Sequence, residues 1–146
     1  YPDNFEVGFW KDLTENDYEY IRNKQQNENW YPETLSPFQL PNIPLGEFSL
    51  VLKYNNQIVG WIITHQSTSK TFQVTSFFVD KEHRNTKASL AIIIDCVERY
   101  YKAGLAEQAI FMFESSNKMM QTLSKKIAGD NNTGAFTQVW ASQKTL

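Results

Sequence analysis

A single cysteine, Cys96, leaves no partner for an internal disulfide, so this chain is not stapled covalently. Long apolar runs are missing as well, and none approaches the roughly 20 residues that a membrane-crossing helix needs. No signal-peptide pattern is visible, and a cytoplasmic site is the expectation. The start at Tyr1 instead of Met reads as a trimmed end or as one piece of a longer protein. Neither sign of charge dominates. Fourteen Lys and Arg stand against 16 Asp and Glu, a net charge of −2. That balance excludes broad nucleic-acid binding and leaves room only for a local basic loop. No basic stripe or nucleic-acid motif occurs, and no metal site is expected. Four of the five prolines crowd into 27–44, and the rest of the chain is nearly free of them.

What is present suits one globular domain over 1–146. Hydrophobic residues make up 41% and aromatics 14%, enough for a core without staples. The organising stretch runs from Phe77 to Tyr101. Phe77, Phe78 and Val79 form a β-prone run, Asp80 to Lys87 is polar and loop-like, and a helix follows. Leu90, Ile93, Ile94, Val97 and Tyr101 recur at helical spacing and predict one buried stripe. Glu98 and Lys102 make a well-oriented i,i+4 pair, and Gly104 suits the C′ position. Cys96 reads as a packed helical thiol, not a nucleophile. A helix entered from such a loop turns free N–H groups and the positive end of its dipole outward, which suits an anion. Arg84 and Lys87 add charge there.

Upstream, Phe5–Trp10 alternates like a strand. Leu13-Thr14-Glu15-Asn16-Asp17-Tyr18 predicts a helix start, with Thr14 as N-cap, Asp17 as its N3 partner and Leu13 stapled to Tyr18. That helix is expected to end near Asn23 or Gln26. The proline-rich segment 27–44, which holds Trp30 and Tyr31, predicts irregular structure, with those two rings packed. Ser49–Tyr54 and Gln57–Thr64 read as a hairpin about Asn55-Asn56, a pair that tolerates positive φ. Gly60 suggests a bulge or a close backbone approach. A polar turn over 66–70 and a strand Thr71–Val79 complete an antiparallel meander. A strand Ala109–Phe113, a helix opened by Ser116 and a closing strand Ala135–Ala141 follow.

Together these residues resemble the GNAT acetyltransferase superfamily. In that family a strand ending in Val or a similar residue enters an Arg/Gln-x-x-Gly-x-Gly/Ala loop, which wraps the pyrophosphate of acyl-coenzyme A. Arg84 matches the first position, Lys87 stands at the first Gly, and Ser89 stands at the Gly/Ala. Val59-Gly60 is similar to the family's hairpin. Ser116-Asn117, Met120 and Leu123 fit its later helix, where Ser124 replaces the usual Tyr and Ala128-Gly129-Asp130 replaces Gly-Phe. The order β-α-irregular-β-β-β-α-β-α-β matches over almost the whole chain.

The resemblance implies an α+β fold with a GNAT-like mixed central sheet flanked by helices. An antiparallel meander would lead into a parallel strand–helix–strand crossover. It implies an acyl-CoA-dependent N-acyltransferase, most simply one that moves an acetyl group from acetyl-CoA to an amine of a small molecule or peptide. Its alternative is a GNAT-like binding or interaction domain that has lost efficient transfer. The cofactor would be acetyl-CoA or another acyl-CoA. Phe77, Phe78 and Val79 would lie along the pantetheine arm, and Arg84, Asn85, Thr86, Lys87, Ala88 and Ser89 around the pyrophosphate, with Asn117 also in contact. Lys87 would offer its ammonium where Gly offers close backbone approach, and the Ser89 hydroxyl would be a further donor. Ser124 would act at sulfur, weakly, because a Ser hydroxyl is a far poorer acid than Tyr. Glu114, His65 and Glu47 are the candidate bases. The implied partner is the amine acceptor, with neither nucleic acid nor membrane, and a homodimer is left open.

Overall fold

The computed structural model describes residues 1–38, 44–114 and 136–141. Its strands are β1 (Phe5–Phe9), β2 (Leu50–Tyr54), β3 (Gln57–Thr68), β4 (Thr71–Val79), β5 (Gln108–Glu114) and β6 (Phe136–Ala141). Among the described residues the α-helices are α1 (Glu15–Glu28) and α2 (Lys87–Lys102). The strands form one sheet in chain order. β1 to β4 pair antiparallel, while β4–β5 and β5–β6 are parallel. The α+β, GNAT-like mixed sheet expected from the sequence is the architecture found.

Local chemistry explains the element ends. Thr14 accepts from the Asp17 amide while the Asp17 carboxylate accepts from the Thr14 amide, a complete capping box. α1 runs past the expected end to Glu28, where Asn29 turns left-handed at φ 50°. Asn55 and Asn56 both take positive φ, 49° and 68°, as a tight hairpin turn requires. Gly104 sits at φ 71° beyond α2. Its amide donates to the Tyr101 carbonyl and the Leu105 amide to the Tyr100 carbonyl, closing a Schellman motif. β3 is longer than expected, taking in Gln66–Thr68 from the anticipated turn.

Two bulges decide which side chains face which layer. Leu52 pairs with Gly60 but Lys53 with Ile58, so Val59 is an extra residue in β3. Ile63 pairs with Ser76 but Thr64 with Val74, so Thr75 is extra in β4. Each insertion reverses the in–out alternation beyond it. Ile62, Phe72, Val74 and Val79 therefore pack under α2 with Ile92, Ile93, Cys96, Val97 and Tyr100. Ile58, Trp61, Ile63 and Phe78 pack on the opposite face with Ile21, Trp10 and Tyr31. Tyr31 is buried and Trp30 packs against the same cluster, as anticipated.

The buried stripe of α2 departs from the spacing read in the sequence. Ala88, Ser89, Ile92, Ile93, Cys96, Val97 and Tyr100 are buried, whereas Leu90, Ile94 and Tyr101 lie on its flank. A helix laid flat on a sheet covers a wider band than one apolar row, and Tyr100 brings its own partner. Its hydroxyl bonds the Thr64 hydroxyl at 2.7 Å and accepts from the Phe48 amide at 3.2 Å. Cys96 is fully buried, and burial pushes its thiol pKa far up, as a packed thiol should behave.

Gly60 is required by close approach, not by φ. A Cβ there would lie 2.5 Å from the Phe78 carbonyl oxygen and 3.1 Å from Val79 Cα. Gly60→Ala should therefore destabilise by about 1–3 kcal/mol. Urea unfolding should show a lower midpoint at unchanged slope.

Candidate functional site

β4 and β5 begin together and then part. Their pairs run from Thr71↔Gln108 to Val74↔Phe111, and no pair joins the later residues of either strand. Separation begins at the Thr75 bulge. The Asp80 amide donates to the Val59 carbonyl at 2.7 Å, so the β3-facing positions of the ladder are Asp80, Phe78 and Ser76. By alternation, the main-chain groups of Phe77 and Val79 face the gap. Arg84 corroborates this, because its Nε donates to the Val79 carbonyl at 3.1 Å.

Phe78 therefore departs from the expectation placed on it. Its main chain belongs to the β3 ladder and its ring is buried beside Trp61 and Trp30. Period-two alternation keeps it from the gap that its two neighbours line.

The loop 80–86 follows, and Thr86 is the N-cap of α2, with φ −91° and ψ 165°. Its side chain does not cap the helix. The hydroxyl instead donates to the His83 carbonyl at 2.7 Å. Ser89 is buried, and its hydroxyl donates to the Arg84 carbonyl at 2.6 Å. The expected role of that hydroxyl as a phosphate donor is thus corrected, because it is turned into the loop. Of the first-turn amides of α2, that of Ser89 donates to the Thr86 carbonyl at 3.2 Å, and those of Lys87 and Ala88 follow the loop directly. Lys87 and Asn85 are exposed. Lys87 is not among the residues with positive φ, so the missing Gly imposes no backbone strain here.

On the far face, the segment after α1 is tied to this strand. The Trp30 indole N–H donates to Asp80 Oδ2 at 2.9 Å, and Ser76 Oγ donates to the Leu35 carbonyl. Asp80 Oδ1 also accepts from the Glu82 amide at 3.1 Å. Burial alone would raise the Asp80 pKa. The two hydrogen bonds, with Lys24 and His83 nearby, outweigh burial and hold it below the usual carboxylate range. A polar cleft of about 300 Å³ beside Tyr20, Lys24 and Tyr54 carries Asp80 and Glu82 on its wall. His83 lines it as well, so acidic and basic groups share this wall.

The pattern of the acetyltransferase (GNAT) family matches residues 9–126. The chain belongs to the GNAT acetyltransferase family. Solved structures agree in fold. A GNAT family acetyltransferase from Elizabethkingia anophelis with acetyl-CoA bound is 16% identical at TM-score 0.60, over 86% of this chain and 75% of that one. A ribosomal-protein-alanine N-acetyltransferase from Escherichia coli is 15% identical at TM-score 0.65, over 84% and 76%. An aminoglycoside acetyltransferase from an uncultured soil metagenomic sample, in complex with trehalose, is 18% identical at TM-score 0.57, over 97% and 95%. No curated protein matches the sequence significantly.

Of the residues expected to serve this GNAT domain, Phe77, Val79, Arg84, Asn85, Thr86, Lys87 and Ala88 gather around the parted strand end and the start of α2. Asn117 and Ser124 lie outside the described residues. Glu114 ends β5, with its side chain outside what is described. Glu47 is exposed and pairs with Lys11 at 2.6 Å, a surface ion pair. His65 is buried, 6% exposed, with Nδ1 at 2.8 Å from Thr75 Oγ1. Thr75 and the Trp30–Asp80 tie were not anticipated. The bulge does leave a trace, since apolar residues at 72 and 74 give way to polar 75 and 76 and then apolar 77 to 79. The tie spans 50 positions and leaves none. Among the described residues no group of three His, Cys, Asp or Glu could hold a metal, and no helix is long and apolar enough to cross a membrane.

The depressed Asp80 pKa stabilises the fold above the unfolded carboxylate pKa of about 3.9, and that stability is lost as pH falls through the folded value. Asp80→Asn should therefore cost about 1 kcal/mol at pH 7 and distinctly less near pH 2.5. Urea unfolding at the two pH values checks it.

Proposed function

We propose that this chain transfers an acetyl group from acetyl-CoA, or another acyl group from its CoA ester, to an amine of a small molecule or peptide. We read 1–146 as one GNAT-like domain working in the cytoplasm. The observation that carries this reading is the run of outward donors after β4. Main-chain groups of Phe77 and Val79 face the gap, and the uncapped amides at the start of α2 lie one loop further on.

Those positions suit a pantetheine arm and its pyrophosphate. Amides of Lys87 and Ala88 would hold phosphate oxygens with help from the helix dipole, and the exposed Lys87 ammonium would add charge. The Val79 carbonyl is already taken by Arg84, so the Phe77 groups and the Val79 amide are left for the arm. The thioester supplies the activated acyl group, and the chain supplies position and a place for the amine proton. Three structural relatives are named for acceptors or ligands as different as a protein alanine, an aminoglycoside and acetyl-CoA, which is why the acceptor is proposed only as an amine.

Acetyl-CoA at 100 times its Kd should stabilise the domain by about 2.7 kcal/mol, roughly 5–10 °C in Tm. No shift at millimolar ligand would favour a binding or interaction domain without transfer. Lys87→Glu should weaken acetyl-CoA affinity about 3- to 10-fold, because it sets like charge against phosphate. An unchanged affinity would place the anion elsewhere. A thiol-release assay with a free-amine tripeptide, spermidine and kanamycin then tests transfer itself.

A further inference from the structure

His65 is a buried imidazole beside the point where β4 and β5 separate. Its Nδ1 lies 2.8 Å from Thr75 Oγ1, and the same hydroxyl lies 3.3 Å from the Ile63 carbonyl, which can only accept. A hydroxyl has one proton, so giving it to Ile63 makes Nδ1 the donor to Thr75. Nε2 then carries a lone pair. It is buried and has no hydrogen-bond partner among the described residues. An orphaned acceptor at 6% exposure is costly to keep unless it meets something that arrives later.

The location sets the ring beside the gap. Thr64 turns its hydroxyl to Tyr100 on the α2 side, so the next residue, His65, faces the opposite layer. That layer holds Ile63, Trp61 and the segment around Tyr31 and Leu35, which Ser76 anchors to β4. Thr75 is the bulged residue, next after Val74, whose pairing with Phe111 is the last between β4 and β5. His65 thus stands one side chain from the apex of the gap, on the layer opposite the cofactor helix.

We propose that His65 Nε2 takes the proton of the acceptor amine, with Thr75 fixing the tautomer that makes it a base. This rests on the acyl-transfer reading above. The amine nitrogen forms a bond to the acyl carbon and the C–S bond breaks with its electron pair going to sulfur. His65 Nε2 takes one amine proton and the thiolate takes a proton from water. Burial lowers the His65 pKa, and no charged or titratable neighbour among the described residues contributes to the shift, so the imidazole is neutral at pH 7.

Two measurements test this. Nitrogen NMR of ¹⁵N-histidine-labelled protein should show one imidazole with Nδ1 protonated and Nε2 bare. Only two histidines occur, so the resonance lost in His83→Gln identifies the other. A protonated Nε2 in His65 would overturn the assignment without any assay. In kinetics, His65→Gln should keep the acetyl-CoA-induced Tm shift yet lower kcat/KM roughly 100-fold for whichever panel amine is turned over. The acidic limb of the wild-type pH profile, with a midpoint below 6.5, should vanish. A kcat/KM within threefold of wild type and an unchanged limb would make His65 a packing residue. Absent cofactor stabilisation in the wild type would instead defeat the transfer reading, and this assignment with it.

Discussion

The inserted residue Thr75 is the constraint on which the rest of this structure depends. Up to Val74, β4 can hydrogen-bond on both edges, to β3 and to β5. One extra residue reverses the alternation, adds local twist and ends the parallel pairing. Phe77 and Val79 then turn main-chain groups to a gap, while Ser76 and Phe78 stay on the β3 ladder. The same reversal sends Phe78 into the aromatic layer with Trp61 and Trp30, which anchors the strand while one edge stays open. A regular strand here would give either a fully paired sheet or an open edge with nothing to hold it.

The loop after β4 is built without the glycines of the family pattern. Its carbonyls are satisfied from within. His83 accepts from the Thr86 hydroxyl, Arg84 from the Ser89 hydroxyl, Thr86 from the Ser89 amide, and Val79 from the Arg84 guanidinium. With acceptors turned inward, donors are what the start of α2 presents outward. Glycine would bring the backbone closer to phosphate, and side-chain hydroxyls here achieve the rigid turn by a different route. The Trp30–Asp80 bond then ties this loop to the segment that follows α1, so the two faces of the sheet share one anchored strand end.

Much of this was legible in the residues. The capping box at Thr14, the Asn55-Asn56 turn, the ends of β4 and the Gly104 stop all have local causes, and local causes leave local patterns. The stripe of α2 was read one row off, because periodicity reports hydrophobicity while burial also reflects the width of the covered sheet. Tyr100 shows the difference, being buried through a hydroxyl pair with Thr64 that lies 36 positions away. Ser89 was assigned a donor to ligand from its place in the motif and its residue type. The direction of a hydroxyl is set by the nearest carbonyl, which only the folded loop supplies.

By itself the sequence determined the order of the described elements, the family motif and the start of a helix one loop after a strand, since these rest on residue type and short spacing. The tertiary structure decided which edges of β4 are open, which hydroxyls are already engaged, and how differently Glu47 and His65 are housed. Glu47 and His65 were equivalent as letters. One became a surface ion pair and the other a buried imidazole with a free nitrogen, because desolvation and partner geometry arise only when distant strands meet.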